Sequence, residues 1–328
     1  MTLRLCLTVL LLAIAAQAED PTLRLTLAGH STPIVSLAFS PDGKSLVSAS
    51  RDGTIKLCDL ASEKTLSDQA AAVYCVVFSP DGKTVAAAVG KNAMLWDAAS
   101  GKELATFAGH ADSVRSLAFS PDSKTLASAE FGQVLLWDVE KRAKIESFKS
   151  KEGATALAFS PDGKVLASEL GSKIVLFNLI AGTRRELLDG AGPRQCRFLT
   201  FSADGKTLVQ SVRCIPEKIG LWDIASETKI AALKPEKFEH AEWVYALHLA
   251  PDHKTLCSAR QSGAITLWNI HTQTAIATYE DAQHFTAAAF TLDGKTLAVA
   301  TPDNKVKIFN MEKFNASTAP AKEIDVQF

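Results

Sequence analysis

The side chains best suited to chemistry in this 328-residue chain are its seven histidines and six cysteines. A zinc site draws on closely spaced His and Cys ligands, such as two histidines one helical turn apart, and a thiol redox centre draws on Cys-x-x-Cys. Neither spacing occurs, because the histidines fall singly along the chain and no two cysteines stand three apart. Acid–base catalysis has His30, His110, His240 and His284 as candidates, with no carboxylate recurring beside them as a partner. No metal, no cofactor and no catalytic residue is expected from this pattern. Charge excludes a further class: 35 basic residues balance 36 acidic ones, which provides no whole-molecule field for nucleic acid.

The elements that would position any site are announced by a repeat. The hexapeptide Phe-Ser-Pro-Asp-Gly-Lys starts at Phe39, Phe78 and Phe159, and near-copies start at Phe119, Phe201, Leu249 and Phe290. Successive copies lie 39, 41, 40, 42, 48 and 41 residues apart, a period that belongs to repeat architectures. Apolar residues alternate on either side of each copy, as in Val114, Leu117 and Phe119 followed by Leu126 and the run Val134 to Trp137, so each unit reads as three short strands. The hexapeptide is the corner between the first two. Pro41 pre-sets φ for the turn, Asp42 tolerates the next position and Gly43 takes the positive φ of a hairpin loop with a bulge. Ser123 and His253 replace that glycine, at a cost of about 1 kcal/mol per corner.

A second marker follows each corner at the end of the third strand: Cys58-Asp59, Trp96-Asp97, Trp137-Asp138, Phe177-Asn178, Trp222-Asp223, Trp268-Asn269 and Phe309-Asn310. Gly29-His30 and Gly109-His110 stand nine residues ahead of their hairpin Phe. At these residues the chain resembles the WD-repeat (WD40) β-propeller family, over residues 22 to 310, as a secreted, bacterial-type member. The resemblance implies an all-β, seven-bladed WD40 β-propeller over residues 19–311, with four antiparallel strands per blade and a C-terminal tail at 312–328. Each unit would supply the outer strand of one blade and the three inner strands of the next. A lone 40-residue unit exposes both faces of its sheet, so neighbours must cover them and the ring must close. Thr22 to Leu27 is expected to close it beside Lys305 to Asn310, with Lys322 to Phe328 as the competitor. The family's stabilising network joins a loop His, a strand Ser or Thr, a turn Asp and the Trp. No unit is expected to hold all four: the first has Cys58 for Trp, and the third has Glu130-Phe131-Gly132 where the Asp belongs.

Residues 1–18 read as a secretory signal peptide, with Arg4 before an apolar run from Leu5 to Ala16 and an Ala16-Gln17-Ala18 end. The run is too short to span a bilayer, so the mature chain is expected in the periplasm or outside the cell, without membrane insertion. Cleavage would leave five cysteines, an odd number. Counting outward from the corner at Ala203 to Gly205 puts Cys196 opposite Cys214 or one diagonal step away. A disulfide there would contribute about 3 kcal/mol, and two buried free thiols are the alternative. Cys58, Cys75 and Cys257 occupy apolar strand positions and read as core.

The resemblance also implies a binding face at the mouth of the central channel, reached by the residue four before each hairpin Phe: Val35, Tyr74, Arg115, Thr155, Arg197, Tyr245 and Thr286. Turns on the same face add Arg51, Arg213 and Arg260, with Glu130 and Glu169 as acids. Tyr and Arg dominate interface energetics. Tyr74, Arg115, Arg197, Tyr245, Arg51, Arg213 and Arg260 are therefore expected to bind a partner protein or peptide through an acidic segment, without nucleic acid. The protein would be a non-catalytic scaffold, a monomer or one subunit of a larger assembly. The alternatives are a propeller enzyme of lyase, lactonase or dehydrogenase type, and a glycan or small-ligand binder using Trp243 and Tyr245.

Overall fold

The computed structural model describes residues 23–59, 63–68, 71–170, 173–188, 195–213, 218–233, 244–250, 252, 254–280 and 283–314. The segment 1–18, Cys214, His240, Trp243, His253 and the residues 315–328 lie outside them, as do the side chains of Thr155, Cys196, Arg197 and Arg213. The proposed Cys196–Cys214 bridge therefore falls outside the described residues, although the backbone pairs Cys196 with Val212.

Seven sheets stand in a circle. Five are separate four-stranded sheets, and the sixth, of six strands, is two blades joined by one long strand, Ala143–Phe159. Its first part pairs outward in blade 3, opposite Gln133 to Asp138, and its last part is the inner strand of blade 4, opposite Leu166 to Leu170. The second and third strands of blade 3 likewise run on as Thr125–Asp138 through Gly132, whose φ of 106° makes the bend. Separate strands are thus fewer in blades 3 and 4 than in the others. The inner strands are Ile34–Phe39, Val73–Phe78, Ser116–Phe119, the end of Ala143–Phe159, Gln195–Phe201, Val244–Leu249 and Ala287–Phe290. Each packs against the next, and the last packs against the first. Closure is made by Leu23–Leu27, antiparallel to Val306–Asn310, with Leu27 opposite Val306 and Leu23 opposite Phe309. This is the N-terminal solution expected from the sequence.

The core explains why a single unit could not fold alone. Seven apolar clusters occur among the described residues, and every one is shared by two neighbouring blades. Second strands such as Thr84–Val89 are buried on both faces, so their sequences run continuously apolar or small instead of alternating. The aromatic marker of each third strand faces the preceding blade. Trp137 stacks on Phe107 of blade 2 with ring centroids 5.0 Å apart, and Phe177 stacks on Phe148 of blade 3 at 4.3 Å. Trp96, Trp222, Trp268 and Phe309 plug four more seams.

Cys58 leaves the seventh seam, the one that closes the ring, without such a plug. A small pocket opens there between Cys58, His30 and Ser48 of blade 1 and Asn304 and Val306 of blade 7. Cys58 pairs with Leu46 as Trp268 pairs with Leu256, and Ser48 stands where Ser258 accepts the indole N–H of Trp268 at 2.9 Å. The pocket has room for about one water, so Cys58→Trp would overpack the seam and should lower stability by about 1–3 kcal/mol. An unchanged or raised urea midpoint would show that the seam opens to take the indole.

The repeated hexapeptide is a hydrogen-bonded corner. The Ser40 hydroxyl donates to Asp42 Oδ1 at 2.6 Å, Lys44 N donates to the same oxygen at 3.1 Å, and Ser45 N donates back to Ser40 Oγ at 2.9 Å. The same hydroxyl-to-carboxylate bond recurs at Ser79, Ser120, Ser160, Ser202 and Thr291. The Ser40 hydroxyl, then the Lys44 N–H, hold the Asp42 carboxyl below the usual carboxylate range. In blade 6 Ala250 brings no hydroxyl, and Asp252 turns to Thr255 Oγ1 at 2.8 Å. Corner glycines also nest on the previous blade. A Cβ on Gly82, Gly163 or Gly205, all at positive φ, would touch Pro41, Pro121 or Pro161 respectively. Ser123 keeps the left-handed conformation at φ 62°, and its hydroxyl accepts from Asp81 N of blade 2 at 3.1 Å.

Candidate partner-binding site at the channel mouth

A channel of about 800 Å³ runs along the inner strands. Its rim is built by an irregularity common to most blades. Pairing between first and second strands slips between Ile34 and Ser36, Val73 and Cys75, Ala154 and Leu157, Cys196 and Leu199, and Val244 and Ala246. The residues in those slips include Val35, Tyr74, Thr155, Arg197 and Tyr245, the positions the resemblance singled out. A bulge frees a side chain from the alternation of the pleat and re-aims it, which is why Val35, Tyr74 and Tyr245 reach the mouth. In blade 3 the strand begins after Arg115, whose N–H donates to Ala129 O at 2.8 Å, and in blade 7 Thr286 N donates to Ala300 O at 2.8 Å.

Val35, Tyr74, Arg115 and Tyr245 line the channel, and two of them form a unit. The Arg115 guanidinium lies over the Tyr74 ring, 5.4 Å from its centroid, joining blades 2 and 3. Arg115 is exposed and Tyr74 is at the border of exposure, so a face of the pair meets solvent. Phe131 lines the same mouth and is 65 % exposed, a large apolar ring with no cover among the described residues. Asp112 adds a carboxylate beside them. Phe131 was not among the expected binding residues. Its signal was an aromatic in the turn between second and third strands, where polar residues normally serve.

The rest of the expected set divides. Arg51 is exposed in its turn, its N–H bonded to Pro33 O at 3.2 Å, but it does not line the channel. Arg213 is placed only through its backbone, opposite Gln195 at the end of its strand. Arg260 is corrected: it is 3 % exposed and its guanidinium bonds Thr266 Oγ1 at 3.3 Å, so it belongs to the blade interior. Glu130 and Glu169 are buried as well. An arginine or glutamate that ends a second strand lies under the turn, whereas one within the turn stands above it.

Glu130 has a structural duty in the stabilising network. His110 Nε2 lies 2.6 Å from Ser128 Oγ, which also accepts from Trp137 Nε1 at 2.7 Å, and His110 Nδ1 is 3.7 Å from Glu130. Asp112 N donates to the same carboxylate in a short bond. Glutamate two residues earlier, with one more methylene, thus takes the place of the absent turn Asp, meeting His110 Nδ1 at ion-pair distance without a hydrogen bond. In blade 1 His30 bonds Ser48 Oγ at 2.7 Å and Thr54 Oγ1 at 2.8 Å, with Asp52 3.6 Å away. Burial opposes ionisation of Asp52, but donors from Thr54 and Ser31 outweigh it and the carboxyl lies far below its ordinary range.

These contacts engage His30 and His110, and His240 lies outside the described residues. The side chains of His30 and His110 are almost wholly buried and line no part of the channel, and His284 rests on Gln261 O at 3.2 Å. Among the described residues no three His, Cys, Asp or Glu side chains are grouped to hold a metal. Cys257 is buried in the core as expected, Cys75 is half-buried and packs against a core cluster, and Cys58 is half-buried at the closing seam.

Ring, seams and corner markers define an all-β, seven-bladed propeller. Four segments, residues 21–59, 61–97, 101–138 and 234–269, match the sequence family described as "WD domain, G-beta repeat". Those four segments, a little under half of the chain, are where it matches WD40 repeats. It is also similar to Protein groucho of Drosophila melanogaster, 27 % identical over 120 residues, which is 36 % of this chain and 16 % of that protein.

Proposed function

We propose that this protein is a non-catalytic interaction scaffold that captures an acidic, extended segment of a partner protein at the channel mouth, in the sector between blades 2 and 3. The observation that carries this reading is the Arg115–Tyr74 stack at 5.4 Å beside the exposed Phe131. A guanidinium flattened on an aromatic face keeps its edge N–H groups for a bidentate carboxylate, and a neighbouring bare ring offers the apolar anchor that interfaces place near their centre. WD40 repeats and the similarity to Protein groucho support a protein-interaction role in the coarse sense. The signal-like residues 1–18 support a secreted or periplasmic setting.

Charge reversal tests the acidic partner. Arg115→Glu with Arg197→Glu should reduce the amount of each captured partner at least tenfold in affinity capture from a native envelope fraction, read by quantitative mass spectrometry. Phe131→Ser alone should reduce it several-fold without altering salt dependence, since it removes apolar contact only. The same proteins in the same amounts from all three baits would end the proposal.

A further inference from the structure

One inner-strand position departs from the other six. The residue before the hairpin Phe or Leu is Ala38, Val77, Ala118, Ala158, Thr200 and Ala289 in six blades, and His248 in blade 6. The His248 ring is tilted against Phe290 of blade 7, with centroids 5.8 Å apart. Its Nε2 faces the corner of that blade so closely that a Cβ on Gly294 would lie 2.7 Å from it. Glycine is doubly required there, by this approach and by its φ of +68°. Nε2 is buried and has no hydrogen-bond partner among the described residues.

A neutral imidazole tolerates that setting because one ring nitrogen carries no proton and can face a methylene bare. An imidazolium carries a proton on both nitrogens. Its Nε2–H would be driven toward Gly294, where no acceptor stands among the described residues, and a buried unpaired donor is costly.

The surroundings supply little relief. On its own corner, Asp252 is taken by Lys254 N and by Thr255. On the paired strand stands Cys257, whose thiol burial keeps protonated. Across the seam, Lys295 pairs with Glu312 at 2.7 Å. Asp293 is the charge felt at the ring, and its Oδ1 already accepts from Thr291 Oγ1 and Lys295 N.

We propose that His248 makes the seam between blades 6 and 7 an acid-labile joint, sealed when the ring is neutral and parting ahead of the other seams when it is protonated. The joint borders the blade that closes the ring, so its parting would open the circle beside its own fastening. Burial, the larger influence, pushes the His248 proton affinity down against the attraction of Asp293. The folded value therefore lies below the ordinary 6.5 of an exposed ring. Stability from this group is full above about pH 6.5 and is lost as the pH falls from there toward the folded value.

Hydrogen exchange at pH 7.5 and 5.5, corrected for intrinsic rates, tests this on the full chain. Amides of Val244–Leu249 and Ala287–Phe290 should lose about tenfold in protection at the lower pH, while Ile34–Phe39 and Val73–Phe78 change by less than twofold. In His248→Ala, which installs the residue of four other blades, that loss should shrink to less than twofold. His248→Gln, without a titrating group, should behave alike and serves if the alanine variant folds poorly. An equal loss across all seams, or an undiminished loss in the variants, would overturn the proposal. His110, also pushed down by burial, is present in every arm and cancels.

Discussion

Removing residues 19–28 lowers the melting temperature by about 10 °C, and removing residues 315–328 changes it by only about 2 °C. The first deletion takes away Leu23–Leu27, which pairs with Val306–Asn310 at four positions. Backbone hydrogen bonds contribute about 1 kcal/mol each, and a loss near 4 kcal/mol shifts the midpoint of a chain this long by 2–4 °C per kcal/mol. Structure at a distance amplifies the effect, because blade 7 without its outer strand becomes an unprotected edge. Scanning calorimetry of the two truncated chains beside the parent measures it. The reverse order of stabilities would mean that Lys322 to Phe328 fills the slot and that the N-terminal strand is dispensable.

Trp137→Ala costs about 4–5 kcal/mol in urea unfolding, the largest loss expected of any single substitution here. The indole is 4 % exposed and stacks on Phe107 of the neighbouring blade, so its removal leaves a cavity in the seam between blades 2 and 3. It also strips one partner from Ser128, whose other contact is His110, and loosens a network that Glu130 borders. Trp137→Phe keeps the stack and loses the hydrogen bond, so about half the penalty should remain. A loss under 1.5 kcal/mol for the alanine variant would mean that the seam collapses onto the gap and that the network contributes nothing.

Much of this architecture is legible in the order of residues because the corner is a local object. Phe39 to Lys44 and its copies encode a turn through Pro, Asp and Gly, whose preferences act within a few bonds, and their spacing counts the blades. The rim positions Tyr74, Arg115 and Tyr245 were legible for a related reason, since each sits a fixed number of residues before a corner. What escaped depends on reach and burial, which spacing does not encode. Arg260 and Arg51 stand one residue apart in register, yet one is inside and the other outside. Glu130 was two residues too early to be taken for the network Asp, and only the length of its side chain lets it arrive. Phe131 escaped because an exposed aromatic on a turn has no periodicity to betray it. The long strand through blades 3 and 4 escaped because a missing turn signal is weaker than a present one.

Each corner glycine rests on a residue of the preceding blade, a proline at three junctions, so the lettering of one unit answers to its neighbour. Pro41 lies beside Gly82, Pro121 beside Gly163 and Pro161 beside Gly205, whereas Gly43 faces Thr291 and Gly294 faces His248. The units are consequently not interchangeable tiles. A circular permutation that preserves the order would keep the close fit of His248 over Gly294, while a shuffle that brought the Ser123 corner there would set side chain against ring, so the order of the copies is itself part of the inheritance.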